Sequence, residues 1–155
     1  MIVFDCAVCG HRLSAPVREV PPPADGEVWT PLDSPVDPCP PRMAPGTFAR
    51  DPDPGRTAWG PPPKSFGRSR AGHEPGVDLL LSPGDLVGTT RILGRWSGCC
   101  GPAGTDGPNL ACAGCRAEVG LWTGDCYTWL DVVLDGRLTR PVPHPRPPRR
   151  PAPPG

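Results

Sequence analysis

Apolar residues alternate at Leu13, Ala15 and Val17, the period-two pattern of a short strand that Pro21-Pro22-Pro23 brings to an end. The same period returns later in the chain. Thr128, Leu130, Val132 and Leu134 make one face, Tyr127, Trp129, Asp131 and Val133 make a mixed one, and Asp135-Gly136 supplies the closing turn. A strand is predicted there, with an amphipathic helix from Trp122 as the competing reading. Leu79-Leu80-Leu81 and Leu86 to Leu93 are separated by Ser82-Pro83-Gly84-Asp85, with proline and glycine at the second and third positions of a type II turn. That pattern predicts a hairpin, and the whole predicts a small β-rich fold of short antiparallel strands.

Between these stretches the pattern lapses. Four parts follow: 1–20 with a first cysteine turn and a strand, 21–76 as a proline-rich irregular linker, 77–140 as the β-rich part with a second cysteine turn, and 141–155 as a polyproline or disordered tail. Trp29, Phe48, Trp59 and Phe66 are isolated in the linker and read as residues of a solvated loop, docking of some of them being the alternative. The composition agrees, since 27 prolines and 20 glycines are about 30% of the chain. Only about half of the residues are then available to a core, and a core that small needs a metal, disulfides or a partner.

The cysteines offer the first two. Cys6-Ala7-Val8-Cys9 and Cys112-Ala113-Gly114-Cys115 each put two thiols on one tight turn, and two such turns complete a four-sulfur shell for zinc. The turns match beyond their cysteines: Phe4 and Leu110 stand two residues before, Leu13 and Val119 four residues after. Each turn is expected to aim backbone amides at its sulfurs, with the apolar residues packed beneath. The opening residues have no basic start, apolar run or small-residue cleavage site, so the expected compartment is the reducing cytoplasm, where metal is favoured over disulfides. Cys6, Cys9, Cys112 and Cys115 are the predicted ligands. A local set of Cys112, Cys115, Cys126 and one of Cys99 or Cys100 is the rival. Adjacent cysteines diverge, so Cys99 and Cys100 are not expected on one ion, and buried free thiols are the expectation for Cys99, Cys100 and Cys126. Cys39 reads as incidental.

The paired turns resemble the zinc-ribbon family, in which cysteine turns on neighbouring hairpins share one zinc. The resemblance covers about twenty residues directly and implies a structural zinc; Arg116 stands where such turns commonly carry the glycine found at Gly10. The segments Gly98 to Asn109 and Arg42 to Phe48 are similar to motifs of uncharacterised small proteins of high-GC actinobacteria, which implies a cysteine-rich core and no mechanism.

Nothing in the chain assembles an enzyme's constellation. A redox Cys-x-x-Cys needs a helix after its cysteines, which Gly10, Pro16 and Gly120 oppose. Hydrolytic zinc needs an open position and usually histidine or carboxylate ligands; His11 is crowded, while His73 and His144 read as solvated. Gly101, Gly104 and Gly107 precede no Gly-Lys-Ser/Thr sequence, and Asp106, Glu118, Asp125 and Asp131 read as surface carboxylates. The net charge is zero, and every charged residue after Gly136 is an arginine. The expectation is a non-catalytic zinc-stabilised module that contacts a protein partner, with no membrane span and no small-molecule substrate. Nucleic-acid binding through the tail, with Trp122, Tyr127 or Trp129 stacking on bases, and thiol-disulfide redox chemistry are the alternatives.

Overall fold

Three consecutive leucines of one strand are all buried only where both faces of the sheet are covered, and that is where Leu79–Leu81 lies. The computed structural model describes residues 1–24, 32, 34, 36–50, 78–126 and 128–145. Among these, the strands are β1 (Ile2–Cys6), β2 (Arg18–Glu19), β3 (Thr47–Arg50), β4 (Leu79–Leu81), β5 (Thr89–Arg91), β6 (Leu110–Cys112), β7 (Glu118–Thr123), β8 (Asp131–Leu134) and β9 (Thr139–Pro143). Seven form one sheet in the order β2-β3-β4-β8-β7-β6-β5, and β1 pairs with β9. All neighbours are antiparallel except β2 and β3. The small β-rich antiparallel fold is as expected, and the described residues contain no α-helix.

The sheet is packed on both faces. On one, Phe4, Leu13, Val17, Phe48, Leu79, Leu81, Val132 and Leu134 gather with Leu110 and Val119 from the second cysteine turn. On the other lie Met43, Ala49, Leu80, Leu121 and Val133. Alternation along β8 therefore sends Val132 and Leu134 to one core and Val133 to the other, so both faces of the period-two pattern are buried. Asp131 is buried with them. Its carboxylate pairs with Arg42 at 2.7 Å, and the guanidinium lies 4.2 Å from the Trp129 ring centroid. Neither Asp131 nor Asp125 is the surface carboxylate expected from sequence; each is 3% exposed.

Four other expectations need correction. Leu79–Leu81 does not form a hairpin with the residues after Asp85: Pro83–Asp85 is a 3-10 turn, β4 pairs with β3 and β8, and β5 pairs with β6. A central strand needs two partners, and a local turn signal identifies neither of them. The stretch from Trp122 is strand β7 and loop rather than helix. Residues 47–50 of the expected linker form a strand, with Phe48 fully buried edge-to-face on Phe4 at 5.0 Å between ring centroids. Trp29, Trp59 and Phe66 lie outside the described residues, as does the end of the tail from residue 146.

The beginning of the tail is also strand. His144 N–H donates to Met1 O at 3.0 Å and Leu138 O accepts from Ala7 N–H at 2.9 Å, so the even-numbered residues turn their polar groups toward β1. Pro141 and Pro143 fall at odd positions, where the missing N–H points away from the partner. Prolines at alternate positions are compatible with an edge strand, and β9 is one.

Candidate metal centre

The two cysteine turns are built alike, bond for bond. In the first, Gly10 N–H donates to Cys6 O (2.8 Å), Cys6 N–H to His11 O (2.8 Å), and Ala7 N–H to Leu138 O (2.9 Å). In the second, Arg116 N–H donates to Cys112 O (2.9 Å), Cys112 N–H to Ala117 O (2.8 Å), and Ala113 N–H to Gly88 O (2.9 Å). Each turn follows a strand that is flanked in the same register: Cys6 stands opposite Thr139 of β9, and Cys112 opposite Thr89 of β5. Beneath them Phe4 and Leu13 match Leu110 and Val119, all buried in one core. The repeat legible in the sequence is thus a repeat of structure.

Gly10 and Arg116 share more than position. Gly10 has φ 75° and Arg116 φ 67°, and Arg116 is the sole non-glycine with positive φ among the described residues. The left-handed conformation costs a residue with a Cβ about 1–2 kcal/mol. Arg116 offsets part of that through a 2.9 Å hydrogen bond to Thr90 Oγ1 at the surface. Arg116→Gly is therefore expected to stabilise the fold by about 0.5–1 kcal/mol, and Arg116→Val, with a β-branched side chain at the same φ, to destabilise it. Paired thermal melts check the sign; a lower melting temperature for the glycine variant would refute the strain argument.

The turns meet with their sulfurs together. Cys6 Sγ lies 3.7 Å from Cys115 Sγ and Cys9 Sγ 3.6 Å from Cys112 Sγ; all four sulfurs lie within 4.8 Å of one another, so the group could hold a metal ion. Cys6 and Cys112 are buried, Cys115 is half-buried and Cys9 is exposed. Close approach of the two units requires Gly88 (φ 59°), where a Cβ would overlap the Arg12 carbonyl and crowd the His11 ring, and Gly114, where a Cβ would lie 3.2 Å from Cys9 Sγ. His11 packs in this seam and is not among the four donors.

The electrostatics follow the repeat as well. Backbone amides of Val8 and Cys9 favour the thiolate of Cys6, and those of Gly114 and Cys115 favour that of Cys112. Burial pushes the Cys6 thiol up, and its amide bonds do not reverse this. Burial also raises Cys112, but there the amides of Cys115 and Gly114 and the sulfurs of Cys9 and Cys6 prevail and hold it below its ordinary value. At Cys9 a bond from the His11 backbone lowers the thiol, yet desolvation and the neighbouring sulfurs outweigh it and push it up to about 12.

Cys99, Cys100 and Cys126 do not join the second turn, so the rival ligand set is not brought together. They are not buried thiols either: Cys99 and Cys100 are exposed and Cys126 is half-buried. Cys39 belongs to neither group of donors, and its Sγ donates to the Pro40 carbonyl at 3.6 Å. Of the aromatic residues considered for base stacking, Trp129 is buried under Arg42, Trp122 packs against Trp96 at 5.8 Å, and Tyr127 lies outside the described residues. No helix among the described residues is long and apolar enough to cross a membrane. No protein-family model matches the chain, and searches of curated proteins and of solved structures found no match.

Proposed function

We propose that this chain is a zinc-stabilised, non-catalytic binding module, in which Cys6, Cys9, Cys112 and Cys115 hold one structural zinc in a zinc-ribbon-like centre. The spacing of the sulfurs carries the reading. A tetrahedral ion with sulfurs at about 2.3 Å sets them about 3.8 Å apart, and the observed separations of 3.6 and 3.7 Å are close to that edge. Four thiolates close the shell and leave no position for water or substrate, which argues for architecture over hydrolysis. A redox role has less support: neither turn opens a helix, and Cys9, the most exposed of the four, is the thiol pushed furthest up. The module would work in a reducing compartment, where such thiols stay free for metal, and would act through contacts with a protein partner.

Native mass spectrometry of protein made in a reducing cytoplasm tests this. A zinc ion retained in Cys39→Ser but lost in Cys6→Ser supports the assignment, while a folded, metal-free wild type would overturn it. Proton release is a further expected result. Cys6 and Cys9 are both raised from an ordinary 9.0 and so are protonated at neutral pH, and both must ionise to bind the metal. At least two protons leave per ion, so the apparent affinity should rise about 100-fold or more per pH unit between pH 6 and 8. Competition titrations at fixed pH measure this slope, and a pH-independent affinity would speak against thiolate ligation.

A further inference from the structure

A second set of donor atoms meets on different elements. The loop after Trp96 carries Cys99 and Cys100, the turn after β7 carries Asp125 and Cys126, and one donor atom from each of the four lies within 4.8 Å of the others. Cys99 Sγ is 3.4 Å from Cys100 Sγ and 2.9 Å from Cys126 Sγ. Asp125 Oδ1 accepts from both Cys99 Sγ (3.1 Å) and Cys100 Sγ (3.0 Å). The expectation that adjacent cysteines diverge fails here, because the chain bends through residues 98–101 and turns both side chains to one carboxylate oxygen.

We propose that Cys99, Cys100, Asp125 and Cys126 form a second, solvent-open metal site for one thiophilic divalent ion of the zinc class. Three thiols and a carboxylate supply the number and type of donors that such an ion takes, and the thiols release their protons to solvent as it binds. The carboxylate is placed in advance. Asp125 is 3% exposed, its Oδ2 accepts from Cys99 N–H at 3.1 Å, and its own N–H donates to Thr128 Oγ1 at 2.9 Å. Cys126 N–H donates to Cys100 Sγ at 3.2 Å.

The two loops are also built to touch. A Cβ on Gly98 would overlap the Gly101 carbonyl oxygen and Asp125 Oδ2, and a Cβ on Gly101 would overlap the Gly124 carbonyl oxygen. Glycine on each side of the cysteine pair is what lets the loop close on Asp125. A disulfide between Cys99 and Cys126 would leave Cys100 and the buried carboxylate without a role, whereas one ion uses all four. The sulfurs stand closer than the tetrahedral edge of about 3.8 Å and would open slightly around the ion. With Cys99 and Cys100 exposed, the ion enters from and returns to solvent, unlike one enclosed by Cys6 and Cys112.

Zinc itself is the probe. The full chain, reduced with a phosphine and given excess zinc, should carry two ions in native mass spectra. The double variant Cys100→Ser/Cys126→Ser should carry one and keep its circular dichroism. On wild-type protein, a chromogenic chelator should remove zinc in two phases of equal size, the faster one absent from the Cys100→Ser/Cys126→Ser protein. A wild type that holds one zinc, lost with Cys9 and Cys115 but not with Cys100 and Cys126, would overturn the second site and leave the first. One zinc lost with Cys100 and Cys126 alone would instead refute the first centre. A mass lower by two hydrogens without reductant, together with a single zinc after reduction, would mark the group as a disulfide pair and overturn the proposal.

Discussion

Substituting Cys112 with serine, or stripping the metal with a strong chelator, is expected to unfold most of the protein at room temperature. Cys112 is fully buried, ends β6, and stands within reach of three other sulfurs that come largely from the far end of the sequence. Without an ion, these sulfurs are left crowded and partly protonated in the seam between the two units. A structural zinc supplies about 10–16 kcal/mol of apparent binding energy in small zinc modules, comparable to the whole stability of about 5–15 kcal/mol of an ordinary domain. Its loss should lower the melting temperature by at least about 15 °C, at about 2–4 °C per kcal/mol for a chain of this length. Cys39→Ser should melt with the wild type. Melts followed by circular dichroism decide this, and an unchanged Cys112→Ser transition would mean that the core stands without the ion.

Phe48→Ala is expected to have the next largest effect. The ring is 1% exposed, packs edge-to-face on Phe4, and belongs to β3, which joins β2 to the central strand β4. Removing a buried phenylalanine costs about 3–5 kcal/mol, the lost transfer energy plus the cavity left behind. The melting temperature should fall by about 10 °C, whereas Leu93→Ala, at a side chain 95% exposed, should change stability by less than about 0.5 kcal/mol. Equal melts for Phe48→Ala and wild type would show that residues 42–50 do not dock on the core.

Phe48 also shows where sequence reasoning stops. Its neighbours are prolines, glycines and small residues, and a strand of four residues has too little alternation to stand out from a loop. What makes it a strand is pairing with Leu79–Leu81, and no local pattern encodes a partner that far along the chain. The same reason undid the hairpin, since Ser82-Pro83-Gly84-Asp85 has turn chemistry that suits a 3-10 turn as well as a reversal. The cysteine turns were legible because they are local: spacing, flanking apolar residues and the glycine of Gly10 all act within ten residues. Arg116 looked like a departure from the repeat and proved to keep its backbone while changing its side chain. Val132, Leu134 and the turn at Asp135 were legible for the same local reason, but the burial of Val133 and Asp131 depends on contacts from distant residues, Met43 in the second core and Arg42 in the ion pair. Cys99 and Cys100 were misjudged because divergence of adjacent side chains presumes an extended backbone, and the glycines on either side bend it.

The central claim is that one ion joins the two halves of the repeat. X-ray absorption at the zinc edge, on Cys100→Ser/Cys126→Ser protein loaded with one equivalent of zinc, reads its ligands directly. The account predicts a single shell of four sulfurs at about 2.3 Å. A shell containing nitrogen or oxygen, or a zinc signal that survives unchanged when Cys6 and Cys112 are both replaced by serine, would contradict it.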